Sequence, residues 1–178
     1  TPGHIIYLLG ETHDELGASS VAYLLRDEGN GGIGGEVPRL DPIRNMEMYR
    51  TLTNAMRHGL VQSAHDCSDG GLSVSLSESC FGTDGGARID ISVLRSFTEY
   101  LSIEAILFGE SLGRILVSVA PEDAQSFESM MNDVACFHLG MVTEDDRIII
   151  TDAQTTLIDT PMTNLRRAWK STLDGSEQ

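Results

Sequence analysis

The stretch "SAHDCSDGGLSVSLSESC", residues 63–80, has the pattern of a strand, a glycine turn and a helix. We expect a short strand over 61–66 and a helix over 72–81, with Gly70-Gly71 letting the backbone turn sharply between them. Asp69 is placed to cap the start of that helix. Because a helix start exposes unpaired N–H groups and a partial positive charge, the turn is also a candidate anion site.

The same residues leave other chemistries open. Cys67 with His65 would supply a thiolate and a base, but catalytic cysteine and histidine usually come from separate elements, whereas residues two apart on a strand share one face. His65, Asp66 and Asp69 could form a metal site, although no second ligand cluster of recognisable spacing accompanies them. A phosphate or magnesium-phosphate ligand at the turn is a further reading, and a purely structural capping role explains the pattern equally well.

A second glycine-polar turn, "FGESLGR" at residues 108–114, runs directly into the apolar stretch "ILVSV". Such a turn presents a carboxylate, Glu110, a hydroxyl, Ser111, and a cation, Arg114, at one end of a sheet. An ordinary solvated loop would have the same composition. We therefore treat this turn as a second candidate for ligand contact.

Hydrophobic periodicity assigns the other elements along the chain. Beyond the strand and helix already given, the expected strands are 4–9, 87–92, 115–119, 137–142 and 147–151, with 156–158 as a possible further strand, and the expected helices are 14–28, 42–58, 101–107, 121–131 and 161–173. Strands and helices are interspersed without a strict βαβ rhythm. This order predicts an α/β fold with a mixed sheet covered by helices, in a single domain over residues 1–178.

Apolar spacing also predicts which side chains are buried. The first expected helix would bury Leu16, Val21, Leu24 and Leu25. The helix capped by Asp41, with Pro42 at its first position, would bury Ile43, Met46, Tyr49, Leu52 and Met56. Further core positions are Leu72, Leu76, Ile89, Ile91, Ile115, Val117 and Trp169.

The glycines Gly29, Gly31 and Gly34 have the G-x-G-x-x-G spacing of a dinucleotide-binding loop. That motif follows a strand and opens a helix in nucleotide-binding folds. Here it follows an expected helix and runs into Val37-Pro38. We interpret it as a mobile loop and not as a nucleotide cradle.

Composition limits the function classes. A formal net charge of −15, from 27 acidic and 12 basic residues, would repel a phosphate backbone, so we expect no nucleic-acid partner. Three widely spaced cysteines suit a reducing compartment, and no apolar run of about 18 residues suggests a membrane span. We expect a cytoplasmic protein. The chain starts directly in an apolar strand pattern, "TPGHIIYLLGE", which we interpret as a C-terminal piece of a longer multi-domain chain.

In combination, "IIYLLGETHDELGASS", "GGEVPRLD", "HDCSDGGL", "GARIDI" and "LFGESLGRILVSV" resemble the C-terminal domain of phosphoribosylformylglycinamidine synthase. The resemblance implies a fold like the C-terminal domain of aminoimidazole ribonucleotide synthetase. It also implies ATP-dependent amidation of formylglycinamide ribonucleotide in purine biosynthesis, with ammonia from glutamine and with ATP and magnesium in the full-length enzyme. The implied partners are the N-terminal domains of the same enzyme, a glutaminase subunit and a small accessory subunit.

By the same resemblance, both glycine turns face one ligand cleft, and no catalytic residue lies in this chain. The implied cleft residues are Asp66, Asp69, Gly70, Gly71, Glu110 and Ser111. The family resembles a tandem duplication, and this chain resembles the second copy of the C-terminal domain. Leu112 stands where the family usually has glutamine, so the site in this copy is a candidate for a vestigial one. The alternative function is a free-standing kinase-like or phosphometabolite-binding module of the same fold.

Overall fold

The computed structural model describes residues 1–25, 35–83, 85–96 and 101–171. The strands are β1 (Ile5–Leu9), β2 (Ser63–Asp66), β3 (Gly86–Asp90), β4 (Ile115–Val119), β5 (Cys136–Thr143), β6 (Arg147–Asp152) and β7 (Thr155–Pro161). The helices are α1 (Ser20–Leu25), α2 (Pro42–Arg57), α3 (Gly71–Cys80), α4 (Ser92–Ser96), α5 (Ile103–Phe108), α6 (Ala124–Met130) and α7 (Met162–Ser171). None of the helices in these ranges is long and apolar enough to span a lipid bilayer.

All the described strands join one sheet in the order β2-β4-β1-β5-β3-β6-β7. Neighbouring strands run antiparallel except β3 and β6, which are parallel. The predicted mixed sheet is therefore confirmed. The apolar strand β1 pairs with β4 on one side and β5 on the other, which explains why its sequence, "IIYLL", carries almost no polar side chain.

Helices cover both faces of the sheet. Successive side chains of a strand point to opposite faces, so Ile6 and Leu8 of β1 join one apolar core while Tyr7 and Leu9 join another. The core containing Ile6 and Leu8 also includes side chains of α3, α4, α5 and α7. The core containing Tyr7 and Leu9 includes side chains of α2 and α6. This layering matches the predicted architecture.

The start of α2 is as predicted. An Asp41 carboxylate oxygen accepts hydrogen bonds from the backbone N–H groups of Ile43 and Arg44, both at 3.1 Å, and Pro42 is the first helical residue. Beyond the other end, Gly59 adopts a left-handed φ of 74°. The two boundary signals act locally, so the sequence alone was enough to place them.

The predicted buried face of α2 is correct for Leu52 and wrong for its other four residues. Its buried residues are Met48, Leu52 and Ala55, which pack in the core with Tyr7, Val117, Val119 and Phe127, among others. Four of the five side chains predicted for the core are at least 40% exposed, namely Ile43, Met46, Tyr49 and Met56. The helix carries apolar side chains on two faces, and the face with the small Ala55 is the one that packs on the sheet.

The first helix begins six residues later than predicted, at Ser20, and residues 26–28 of the predicted helix lie outside the described residues. It begins at Ser20 because the preceding Ala18 adopts a left-handed φ of 61°, which interrupts a helix. Gly17 donates its N–H to the Glu36 carbonyl at 2.9 Å, so this part of the chain pairs with a distant loop. Leu24 and Leu25 are exposed and were wrongly assigned to the core. Gly29, Gly31 and Gly34 lie outside the described residues.

Most other core predictions hold. Leu72, Leu76, Ile89, Ile91 and Val117 are buried. Ile115, at the first position of β4, is only half-buried. The core prediction for Trp169 is wrong: it is 50% exposed, and its ring lies on Phe81 at a centroid distance of 5.4 Å.

The remaining differences are local. Ile91 follows the end of β3, and α4 occupies residues that had no predicted helix. The helix expected from Pro121 begins as a 3-10 turn over Pro121–Asp123 and continues as α6. The possible strand at 156–158 lies within β7, which is longer and forms an antiparallel pair with β6.

Replacing Leu76 by alanine is expected to lower the free energy of unfolding by about 2–5 kcal/mol, because Leu76 is 1% exposed inside the core. Val74→Ala on the same helix is the matched control, since Val74 is 38% exposed, and its effect should stay within about 0.5 kcal/mol. Urea denaturation of the two variants measures both values. Equal urea midpoints for the two variants would show that Leu76 does not lie on the buried side of α3.

Candidate functional site

Three loops meet at one end of the central strands. In the sheet, Leu9 at the end of β1 and Asp66 at the end of β2 both pair with Ile115 at the start of β4. The loop after β1 (residues 10–19), the loop after β2 (67–70) and the loop before β4 (109–114) therefore emerge side by side. We call these the first, second and third loops.

The third loop joins the other two through Glu110. One oxygen of its carboxylate, Oε1, accepts hydrogen bonds from the N–H of Gly70 and from the N–H of Ser20, each at 2.9 Å. These N–H groups belong to the starts of α3 and α1, where a negative charge is favourable. The N–H of Gly70 in the turn is thus hydrogen-bonded to a carboxylate that lies 40 residues further along the chain.

The predicted capping role of Asp69 is wrong. Gly70 is the N-cap residue of α3, with a left-handed φ of 78°, and no side chain caps the helix from that position. Asp69 precedes the cap by one residue, and its side chain is exposed. Its carboxylate is therefore available to solvent at the mouth of the second loop.

Gly71 lets the second and third loops touch. It has a φ of 63°, and a Cβ atom placed on it would lie 2.5 Å from the Gly109 carbonyl oxygen and 3.0 Å from the Phe108 Cα. The first and third loops approach in the same way, because a Cβ on Gly10 would lie 2.4 Å from the Gly113 carbonyl oxygen. Backbones this close require glycine.

Two neighbouring residues complete the junction between the third and first loops. Ser111 is buried, and its hydroxyl accepts a hydrogen bond from the His13 N–H at 3.3 Å. The side chain of Leu112 is half-exposed, while its carbonyl oxygen accepts a 3.4 Å hydrogen bond from the Asn45 side-chain amide. Ser111 therefore holds the loops together, and Leu112 occupies the exposed position on the third loop.

Arg114 lies beneath the third loop, although the sequence suggested a cation presented at the sheet end. Its side chain is only 1% exposed. The guanidinium donates to the Gly109 carbonyl at 3.0 Å and to the Ile106 carbonyl at 2.8 Å, at the end of α5. A positive charge is favourable at a helix C-terminus, so Arg114 fixes both α5 and the start of the third loop. Its Nε has no partner among the described residues.

The predicted cleft residues are brought together to different degrees. Asp69 and Glu110 line one shallow depression, whereas Gly70, Gly71 and Ser111 are buried and do not line it. Asp66 has an exposed side chain at the end of β2, and its carbonyl accepts a hydrogen bond from the Ser75 hydroxyl at 2.9 Å. The other residues of the depression, which the sequence analysis missed, include Ala18, Ser19 and Ser20. Their only signal was the run of small residues "GASS".

The nucleophile hypothesis does not survive. Cys67 is buried, and burial raises the pKa of its thiol, against a smaller lowering by Arg114. The thiol therefore stays protonated at neutral pH and is a poor nucleophile. His65 uses its Nδ1 at 2.7 Å from the Asp66 carbonyl and its Nε2 at 3.3 Å from a Glu78 carboxylate oxygen.

The metal hypothesis for His65, Asp66 and Asp69 also lacks geometric support. Within the residues that the structure describes, no group of three or more histidine, cysteine, aspartate or glutamate side chains is arranged to hold a metal ion. The ion-pair partner of His65 nearest in space is Glu78 on α3, at 3.3 Å. The three candidates do not form a preformed metal centre.

Glu110→Ala is expected to lower the free energy of unfolding by about 1–3 kcal/mol, since it leaves the N–H groups of Gly70 and Ser20 without their shared acceptor. Glu110→Gln keeps an acceptor oxygen and should lose less than the alanine variant. Thermal denaturation of both variants tests this order. A Glu110→Ala protein as stable as the parent would show that the carboxylate does not hold the loops.

Comparison with known proteins agrees with this architecture. Residues 1–153 match the family described as AIR synthase related protein, C-terminal domain. The phosphoribosylformylglycinamidine synthase subunit PurL of Lactobacillus acidophilus is 38% identical over 96% of the chain, and that of Trichormus variabilis is 36% identical over 94%. The chain spans about a fifth of the length of these curated relatives, 21% and 20% respectively.

Solved structures share the fold at lower identity. Thermotoga maritima PurL complexed with FGAR superimposes with a TM-score of 0.78 and 20% identity, covering 93% of this chain and 28% of that protein. The hydrogenase maturation protein HypE of Escherichia coli superimposes with a TM-score of 0.62 and 16% identity, covering 90% of this chain and 49% of that protein. The family match over residues 1–153 and the shared fold lead to one assignment: the chain belongs to the AIR synthase related family, as its C-terminal domain.

Proposed function

We propose that the chain is the C-terminal part of a phosphoribosylformylglycinamidine synthase and supplies one wall of a ligand cleft in that multi-domain ligase. The observation that carries the proposal is the 36–38% identity to PurL subunits over 94–96% of the chain. The reaction is the ATP-dependent amidation of formylglycinamide ribonucleotide, with ammonia derived from glutamine. The chain contributes binding and scaffold, and the catalytic groups belong to the rest of the enzyme.

The geometry of the three loops supports a cleft wall. Asp69 and Glu110 both line the depression beside α1, and Asp66 adds a further exposed carboxylate at the end of β2. Carboxylates in such a wall tolerate a phosphorylated ligand only when a divalent cation lies between them. Asp66, Asp69 and Glu110 are therefore the residues that would face ATP with magnesium, while Gly70, Gly71 and Ser111 would set the shape of the wall.

The relatives support a nucleotide and a ribonucleotide as ligands. Thermotoga maritima PurL has been solved with FGAR and with ATP, in structures that share this fold with TM-scores of 0.78 and 0.68. Leu112 adds no polar group to the wall, and its apolar side chain is half-exposed. We also propose that the isolated chain binds a nucleotide or a phosphate weakly, because the opposite wall of the cleft is missing and the carboxylates need magnesium to tolerate an anion.

Partners follow from the same assignment. The N-terminal domains of the same enzyme would supply the opposite wall, and a glutaminase subunit with a small accessory subunit would deliver ammonia. A structure of PurLQS from Thermotoga maritima superimposes on this chain with a TM-score of 0.71, which supports an assembly of several subunits. We also propose that the enzyme acts in the cytoplasm; the cysteines Cys67, Cys80 and Cys136 are free thiols.

The isolated chain should have no amidation or ATPase activity, because the residues that the structure describes place no reactive nucleophile beside a base. The longer protein should form the amidine product from formylglycinamide ribonucleotide, ATP, magnesium and ammonia. A coupled ADP-release assay on both proteins measures the difference. Turnover by the isolated chain would contradict the division of roles proposed here.

The second candidate function is a free-standing module that binds another phosphorylated metabolite. The structural match to HypE favours it, because there the same fold makes up about half of a different protein. The length of the reading frame upstream of Thr1 separates the two candidates. Several hundred preceding residues favour the ligase, and a short extension favours the module.

A further inference from the structure

The outward side of α2 carries a row of exposed apolar side chains. Ile43, Met46, Tyr49 and Met56 are 71%, 50%, 40% and 44% exposed, respectively. They lie three, three and seven residues apart, so they share one side of the helix, and we call them the outer stripe. Thr53, which fills the gap in the row, donates its hydroxyl to the Tyr49 carbonyl at 2.7 Å and so does not demand water.

This arrangement is unusual for a helix that only covers a sheet. The inward side of α2 is already fully used, since Met48, Leu52 and Ala55 are at most 5% exposed. A surface helix normally has one apolar face and one polar face, whereas α2 also exposes large apolar side chains on the side away from the sheet, among Arg50, Thr53 and Arg57. The outer stripe therefore presents a mixed apolar and cationic surface to a partner.

Charge indicates what kind of surface would cover the stripe. Arg50 and Arg57 are exposed on the same helix and have no ion pair with any described residue. They are conspicuous in a chain with a net charge of −15 and only 12 basic residues. Aromatic, methionine and arginine side chains are enriched in protein interfaces, and Arg50 and Arg57 lie among the apolar side chains of the outer stripe. The complementary surface would be apolar with a carboxylate rim.

We propose that the outer stripe is the docking surface for another domain of the same polypeptide, and that this domain presents carboxylates to Arg50 and Arg57. The proposal rests on the proposed function for the existence of that longer polypeptide. The chain makes up only 20–21% of the length of its curated relatives, so a large part of such a protein lies outside it. A covalently linked domain has a high effective concentration, which lets a modest apolar stripe remain covered.

A second copy of the chain is a poorer occupant. In a symmetric dimer the same patch meets itself, which would bring the arginines of two outer stripes together. Like charges opposed in an interface are unfavourable. An acidic-rimmed domain of the same polypeptide satisfies both the apolar side chains and the two cations.

The test uses the longer protein throughout and measures the labelling rate of a single introduced thiol by N-ethylmaleimide, read by peptide mass spectrometry. Met46→Cys reports on the outer stripe. Ser126→Cys on α6 is the matched control, because Ser126 is also an exposed helical residue on the same side of the sheet. In urea both thiols should react at equal rates. In the native protein we expect position 46 to react at least tenfold more slowly than position 126.

A separate variant tests whether Arg50 and Arg57 contact carboxylates. Arg50→Glu with Arg57→Glu, added to Met46→Cys, should restore labelling at position 46 at least tenfold by repelling the carboxylate rim. Equal labelling rates at positions 46 and 126 in the native protein would overturn the proposal. Protection of position 46 that disappears on dilution would also overturn it, because a second copy of the chain would then cover the stripe. Amidation activity is assayed on the same samples. If position 46 is protected but the protein has no amidation activity, the docking surface is upheld and the ligase function is rejected. If the protein is active but position 46 is not protected, only the docking surface is rejected.

Discussion

Gly71→Ala is expected to lower the free energy of unfolding by about 2–5 kcal/mol. The left-handed φ of 63° costs an alanine about 1–2 kcal/mol. The added Cβ would also lie 2.5 Å from the Gly109 carbonyl oxygen, which is backbone and cannot rotate away, so the second and third loops must move apart. Urea denaturation with the slope held common to parent and variant measures the loss.

Two other glycines separate the conformational cost from the steric cost. Gly59 has a φ of 74°, and a Cβ added to it would have no neighbouring atom within 4 Å, so Gly59→Ala carries the backbone cost alone, about 1–2 kcal/mol. Gly82 also has open space and no left-handed φ, so Gly82→Ala should stay close to the parent. If Gly71→Ala costs no more than Gly59→Ala, the close contact of the two loops is not real.

Arg114→Ala is expected to cost about 3 kcal/mol or more. The carbonyls of Ile106 and Gly109 would lose charge-assisted hydrogen bonds of 2.8 and 3.0 Å, and a cavity would replace a fully buried side chain. Arg114→Lys keeps the charge but not the planar fork that reaches both carbonyls at once, so it should recover only part of the loss. Both values are measured by urea denaturation.

An exposed arginine is the control for this pair. Arg88 on β3 has an exposed side chain, so Arg88→Ala should change the free energy of unfolding by no more than about 0.5 kcal/mol. An Arg114→Ala protein that unfolds at the same urea concentration as Arg88→Ala would show that the guanidinium does not hold the end of α5. Full recovery by Arg114→Lys would show that charge alone is sufficient.

The elements that the sequence predicted well are those set by local signals. The strand β4 (Ile115–Val119) has the predicted bounds because a glycine turn precedes it and Pro121 follows it. The start of α2 is correct because an aspartate cap and a first-turn proline act within three residues. Such signals depend on the chain neighbours of a residue, which the sequence displays directly.

Which side of a helix packs on the sheet depends on tertiary neighbours, and the sequence predicted this less well. Both sides of α2 are apolar, and spacing alone could not tell that Met48 and Ala55 would pack inward while Met46 stayed exposed. Trp169 was assigned to the core because it falls on an apolar-periodic face of the last helix, but it is half-exposed. The hydrophobic periodicity of the sequence predicts neither the packed side of α2 nor the exposure of Trp169.

The candidate site shows the same division. Its two turns were found from glycines and polar residues, and the prediction that Glu110 and Ser111 lie near the Gly70-Gly71 turn agrees with the 2.9 Å hydrogen bond between Glu110 and Gly70. The wrong detail was the capping residue, since local spacing favoured Asp69 whereas the actual acceptor lies 40 residues away from Gly70. Ligand binding at these residues remains a prediction.

Hydrogen exchange of the longer protein tests most directly whether the second and third loops form one wall of a ligand cleft. Amides in residues 67–71 and 109–114 should both exchange more slowly when formylglycinamide ribonucleotide, ATP and magnesium are added. Those of β7 (Thr155–Pro161), at the far edge of the sheet, should not change. Unchanged exchange in both loops under conditions where the amidine product forms would contradict the account.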